Sequence, residues 1–171
     1  MTLTRPNAEA KNGGDSKRGE YLVKAGGCAD CHTPMKLGPN GPEPDMSRNL
    51  SGHPEAMVMP PAPKLEMPWA GAFAVTNTAW SGPWGGCFVA NITSDKPTGI
   101  GDWSEATFMQ AIHTGRHLGK GRPILPPMPI PAMQQLTDAD LKAIFSYLKV
   151  TPALKNRVPD PLPPAPVQPH K

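Results

Sequence analysis

Five consecutive residues, Cys28-Ala29-Asp30-Cys31-His32, make the most definite chemical demand in the chain. Two thiols three positions apart, followed at once by an imidazole, form C-x-x-C-H, the attachment signature of c-type haem. The thiols add across the two vinyl groups of a haem, and the adjacent histidine turns beneath the iron as its first axial ligand. Two other chemistries use C-x-x-C. A zinc site would need two more ligands, and Cys87, His53, His113, His117 and His170 form no second paired motif. A thioredoxin-like redox pair would need a preceding strand and an alternating βαβ pattern, which is missing. One covalently bound haem c is the expected cofactor.

Composition supports the same expectation. The chain has 24 prolines in 171 residues, far above the usual share of about 5%, and only 6% aromatic residues. Such a chain is short of side chains with which to fill a core, and a large apolar macrocycle would supply one. The net charge of +3 is too weak to argue for nucleic acid, and no basic helix or stripe is present. No run approaches the length of an apolar membrane span. Met1 to Gly14 is polar and does not read as a cleavable signal. Because haem attachment to this motif generally happens outside the cytoplasm, the protein is expected to be periplasmic or otherwise exported, its signal already removed.

One domain is expected from this length. Residues 1–14 read as a polar arm, 15–150 as the main domain with an insertion over 33–90, and 151–171 as a proline-rich tail, extended or disordered. Asp15 or Ser16 can cap a first helix running to about Ala25, with Leu22 and Val23 buried and Gly26-Gly27 as its stop. Gly19 would let another helix approach closely. Residues 33–68 carry so many prolines that continuous helix is excluded; this excursion either covers a haem edge or is plain surface. Phe73–Thr76 and Cys87–Ala90 read as short strands of a small hairpin, with Trp80 and Trp84 between them as candidates to shield a haem edge. Cys87, the odd cysteine, reads as a buried free thiol. Asn91-Ile92-Thr93 matches a glycosylation sequon. Ser104 caps a helix over about Glu105–Thr114, stopped by Gly115. Thr137-x-x-Asp140 opens the clearest helix, whose stripe is Leu141, Ile144, Phe145 and Leu148.

A six-coordinate haem needs a second ligand opposite His32, and methionine or histidine is usual. Of nine methionines, Met128 is the expected ligand. It stands between Pro127 and Pro129, and prolines reduce the freedom of a loop that must keep a weak thioether on iron. Met133 is its main rival. Met109 lies in a helical stretch, Met35 is too close to His32, and His113 or His117 would give a bis-histidine haem. Trp103 and Arg116 are candidates to hydrogen-bond a propionate, and Lys24, Lys36, Lys120 and Arg122 to form a positive docking ring.

Taken together, these residues resemble a class I cytochrome c. A nearer resemblance is to the haem domains of the alcohol dehydrogenase cytochrome subunit and related bacterial cytochromes. There, too, Asn91-Ile92-Thr93 and Thr98-Gly99-Ile100-Gly101-Asp102-Trp103-Ser104 precede the middle helix, and Pro127-Met128-Pro129 precedes Leu136-Thr137-Asp138-Ala139-Asp140-Leu141. The resemblance implies a mainly α cytochrome c fold around one haem, with the N- and C-terminal helices packed crosswise and His32/Met128 ligation. With both axial positions filled, the expected function is single-electron transfer between a redox donor and acceptor, such as a dehydrogenase or a terminal oxidase, and not independent catalysis. A haem-based sensor or ligand-binding module, and a subunit of a dehydrogenase complex, are the alternatives.

Overall fold

The computed structural model describes residues 8–63 and 65–164. In chain order it contains helix α1 (Ala8–Ala25), the short helix α2 (Cys28–His32), strands β1 (Met35–Gly38) and β2 (Gly41–Pro44), and strands β3 (Ala72–Phe73), β4 (Ala79–Gly82) and β5 (Gly85–Phe88). Helices α3 (Glu105–Thr114), α4 (Ile130–Met133) and α5 (Asp138–Leu148) follow. With five helices and two small antiparallel sheets, the fold is mixed rather than mainly α.

The helices form where local chemistry asks for them. Ser104 Oγ accepts from the backbone N–H of Thr107 to start α3, and Gly115, at φ 63°, stops it. Thr137 caps α5 through the N–H of Asp140. The predicted stripe of α5 is buried throughout: Leu141, Ile144, Phe145 and Leu148 meet Val23 of α1 and Phe108, Met109 and Ile112 of α3. Gly19 is where α1 and α5 come closest. A Cβ there would strike the backbone carbonyl of Ala143 and lie 2.8 Å from Tyr147 Cβ. The first helix begins earlier than expected, so Asp15 and Ser16 lie inside it instead of capping it. The residues before Ala8 lie outside the described region.

The proline-rich middle is ordered by other means. β1 and β2 pair in a hairpin, Met35 opposite Pro44 and Gly38 opposite Gly41. The second sheet has three strands in the order β3-β4-β5. Its tight turn joins Gly82 to Gly85, and Trp80 lies within a strand, opposite Cys87. The expected strands were therefore displaced: Val75 and Thr76 lie in the bend between β3 and β4. The loop is the two residues Pro83 and Trp84, and the left-handed backbone that closes it falls on Gly85, φ 99°; the expected strands would have left ten residues between them.

Buried side chains in this half are largely polar. His53 is fully buried between Thr78 Oγ1 at 3.0 Å and the Met57 carbonyl at 3.0 Å, with Phe88 against its ring. Asn91 is 4% exposed, and its amide donates to Thr98 Oγ1 and the Leu154 carbonyl. The sequon match is thus an internal hydrogen-bonded turn with no amide free for a glycan. The C-terminal segment is tied to the rest of the fold at Asn156 and again at Leu162. Asn156, 2% exposed, donates to the Ser51 and His53 carbonyls and accepts from Arg48 and the Glu55 N–H. Leu162 exchanges both backbone bonds with Gly86 at the free edge of β5. This extended segment is held because its carbonyls and one asparagine satisfy donors and acceptors elsewhere.

Candidate haem site

α2 is a single helical turn, and that turn sets the geometry of the motif. It places Cys28 and Cys31 three residues apart and His32 at its end. Gly27 precedes it in the left-handed conformation, φ 65°, letting the chain leave α1 sharply. Both thiols are unpaired and half-buried. Burial raises the pKa of each, with the Asp30 carboxylate adding to the effect at Cys31, so both stay protonated near neutral pH.

His32 Nδ1 lies 2.8 Å from the Ala90 carbonyl oxygen. A carbonyl can only accept, so the ring proton is on Nδ1 and Nε2 keeps its lone pair for a metal. Burial lowers the His32 pKa, the Ala90 carbonyl partly opposing, and the imidazole is neutral. The turn is pinned from further directions. Gly52 N–H donates to the His32 carbonyl at 2.7 Å and Asn77 Nδ2 to the Asp30 carbonyl at 2.8 Å. Thr33 Oγ1 donates to Asn49 Oδ1 and accepts from the Leu50 N–H. Gly52 is required there: it has φ 76°, and a Cβ would lie 2.5 Å from the Ala90 carbonyl carbon. The middle of the chain therefore wraps the attachment turn.

Met128 sits half-buried in the loop between α3 and α4, after the cis Pro126–Pro127 bond. It packs on the same apolar cluster as Cys28, Ala29, Ile92, Trp103, Ile124 and Leu136, all only partly covered. The residues fit a haem: two free thiols at the motif spacing, an imidazole with its lone pair unspent, and apolar surface that a macrocycle would cover.

The other predicted residues fall as follows. Met133 is half-buried in α4, Met109 is buried in α3, and Met35 is in β1. His113 is exposed and 3.1 Å from Asp138, while His117 stands edge-on to Trp103, ring centres 5.4 Å apart. Arg116 is exposed and donates to the Gly121 carbonyl. Trp80 stacks on Phe73 at 4.8 Å, and the indole N–H of Trp84 is buried with no partner among the described residues. Of the four cations, Lys24 pairs with Glu20 at 2.7 Å, and Lys36 lies 3.7 Å from Glu43 and 3.9 Å from Asp45. Lys120 and Arg122 are exposed and make no ion pair among the described residues. The sequence reading missed Ala90, Gly52 and Asn77. Ala90 acts only through its backbone, which leaves no mark in residue type.

The cytochrome c family model matches residues 16–152. The chain belongs to the cytochrome c family. Family membership brings covalently bound haem c, and the matched region is an electron-transfer module rather than a catalytic one. Among curated proteins, this cytochrome is 32% identical over 131 residues to the gluconate 2-dehydrogenase cytochrome c subunit of Pantoea cypripedii, covering 77% of this chain and 22% of that protein. It is 27% identical over 164 residues to the fructose dehydrogenase cytochrome subunit of Gluconobacter japonicus, covering 92% and 27%. The cytochrome c subunit of alcohol dehydrogenase (quinone) from Gluconobacter oxydans is 28% identical over 147 residues, covering 84% and 23%. The cytochrome spans about a quarter of the length of these relatives. The resemblance read from the motifs holds. No described helix is long and apolar enough to cross a membrane.

Proposed function

We propose that this cytochrome is a monohaem electron carrier, with Cys28 and Cys31 as the thioether anchors and His32 and Met128 as the axial ligands. Its partners are a dehydrogenase as donor and a further redox protein as acceptor, in an exported bacterial compartment. The observation that carries the reading is the bond from His32 Nδ1 to the Ala90 carbonyl, next to two free thiols at the attachment spacing. That bond orients the ring and makes Nε2 the more basic nitrogen. A haem held by a nitrogen and a sulfur exchanges one electron with little rearrangement, and methionine raises its potential.

The chain's own residues do the rest. Met128 offers a soft sulfur from a loop whose prolines limit its freedom. Ile92, Trp103, Ile124 and Leu136 offer half-covered apolar surface on the same cluster that Met128 packs against. Three curated relatives named as dehydrogenase cytochrome subunits support a dehydrogenase as partner. Lys120 and Arg122, exposed in the loop before Met128, are the remaining candidates for steering an acidic partner surface.

A pyridine haemochrome spectrum with an intact mass tests the cofactor: one covalent haem per chain is expected, and the mass of the bare polypeptide in matured protein would refute it. Met128→Ala is expected to abolish the weak sulfur-to-iron band at the red end of the ferric spectrum. Carbon monoxide separates the carrier from a sensor. Slow, incomplete binding to the reduced protein at neutral pH is expected, and rapid, complete binding would favour a sensor.

A further inference from the structure

The loop carrying Met128 is poorly equipped to tie itself down. Positions 123, 126, 127 and 129 are proline and have no N–H to donate. Its internal bonds run from Met128 N–H to the Leu125 carbonyl and from Ile130 N–H to the Met128 carbonyl, and Ile124 reaches back only to Gly115. One donor reaches residues 122–129 from a distant part of the fold, among the described residues. Cys87 in β5 is 7% exposed, and its thiol donates to the Pro126 carbonyl at 2.8 Å, across 39 positions of sequence. Pro126 lies two residues before Met128.

The strand that presents this thiol is itself held on both edges. β4 pairs with it on one side, Trp80 opposite Cys87. On the other side, Leu162 exchanges N–H···O bonds of 3.1 and 2.8 Å with Gly86. Burial is the chief influence on the Cys87 thiol and raises its pKa, so the thiol keeps the proton it donates.

We propose that Cys87 is a positioning residue for the sixth-ligand loop: its thiol hydrogen-bonds the Pro126 carbonyl, and through that bond the β3-β4-β5 sheet keeps Met128 on the iron. This rests on the assignment of Met128 as sixth ligand. A thioether dissociates from ferric iron and rebinds; a loop anchored at Pro126 returns the sulfur to the same place, and an unanchored one leaves the position open longer to a competing ligand.

The test is imidazole titration of the ferric holoprotein, followed through the sulfur-to-iron band, in wild type, Cys87→Val and Cys87→Ser. Valine fills the space without a donor; serine keeps one. A thiol bond is at the weak end of hydrogen bonds, so Cys87→Val is expected to bind imidazole about threefold more tightly. Cys87→Ser is expected to stay near wild type, which a purely space-filling role for Cys87 would not produce. Met128→Ala separates the two levels. If it loses the band while Cys87→Val binds imidazole like wild type, the positioning role is overturned and the ligand assignment stands. If it keeps the band, the ligand assignment fails and the proposal with it. The wild type also supplies a test that needs no variant. With Cys28 and Cys31 consumed as thioethers, Cys87 carries the one remaining thiol. Its S–H stretching band is expected below the frequency of a free thiol; a band at the free-thiol frequency would overturn the proposal.

Discussion

Around Leu141, helices α1, α3 and α5 bury an apolar stripe, and nothing polar is asked of the side chains inside it. Around Asn156, the segments 45–57, 76–78, 91–98 and 151–157 meet through hydrogen bonds, and the buried polar groups there include His53, Thr78, Asn91, Thr93 and Asn156. Both halves contribute to one site: the helical half carries the thiols, and the polar half supplies the carbonyl that orients His32. The contrast shows how a chain with few large apolar residues can still be well ordered. Where apolar area is scarce, buried donors and acceptors are matched one by one, which gives less cohesion per residue but strict geometry.

Four substitutions test that contrast. The largest effect is expected from Gly19→Val, which drives a side chain into the Ala143 backbone where α1 meets α5. No folded holoprotein is expected, or a loss above about 4 kcal/mol in denaturant unfolding. A near-neutral result would mean that the two helices can separate without cost. Next comes Asn156→Ala, which leaves the Ser51 and His53 carbonyls and the donors of Arg48 and Glu55 without partners. A loss of about 2–3 kcal/mol is expected. A loss within error would show that water replaces the amide and that the polar knot is ornamental.

A smaller, pH-dependent effect is expected from His53. Its neighbours define the neutral ring: Nε2 donates to the Met57 carbonyl and Nδ1 faces the Thr78 hydroxyl. Burial chiefly lowers its pKa, with the Arg48 charge acting the same way and the Met57 carbonyl opposing. The unfolded chain then takes up a proton at a pH where the native ring does not. Stability is full above the ordinary histidine value of about 6.5 and falls as pH drops below it. His117, also lowered by burial, contributes in the same direction. His53→Gln is therefore expected to flatten, not abolish, the slope of unfolding free energy against pH between about 6.5 and 5; an unchanged slope would remove His53 from the account. The smallest effect is expected from Arg18→Ala. The Arg18–Asp140 pair, 2.5 Å apart at the rim of α1 and α5, holds the Asp140 carboxyl below its usual range, but the Arg18 guanidinium is exposed to solvent that can replace it. Its unfolding midpoint is expected to stay close to wild type.

The two halves also differed in how far they could be read in advance. α3 and α5 were legible because a cap, a 3.6-residue stripe and a stop lie within a dozen positions of one another. The start of α1 was not, because Gly13-Gly14 reads as a loose arm, while the helix continues through both and is held further along by α5. The strands of the second sheet were placed several residues off, since short runs such as Phe73–Thr76 suit a strand or a bend equally. The docking of residues 151–162 was not legible because the asparagine among them looks like any surface polar residue until its four partners are seen.

The attachment motif, the helix caps and the proline-flanked methionine are short-range chemistry: each is complete within a few residues, so residue order alone announces it. The carbonyl of Ala90 on His32, the thiol of Cys87 on Pro126 and the amide of Asn156 under Ser51 join positions 58, 39 and 105 residues apart. All three acceptors are backbone oxygens, which every residue type carries. Such pairings leave no signature in composition or spacing, and only the folded arrangement of the chain selects them.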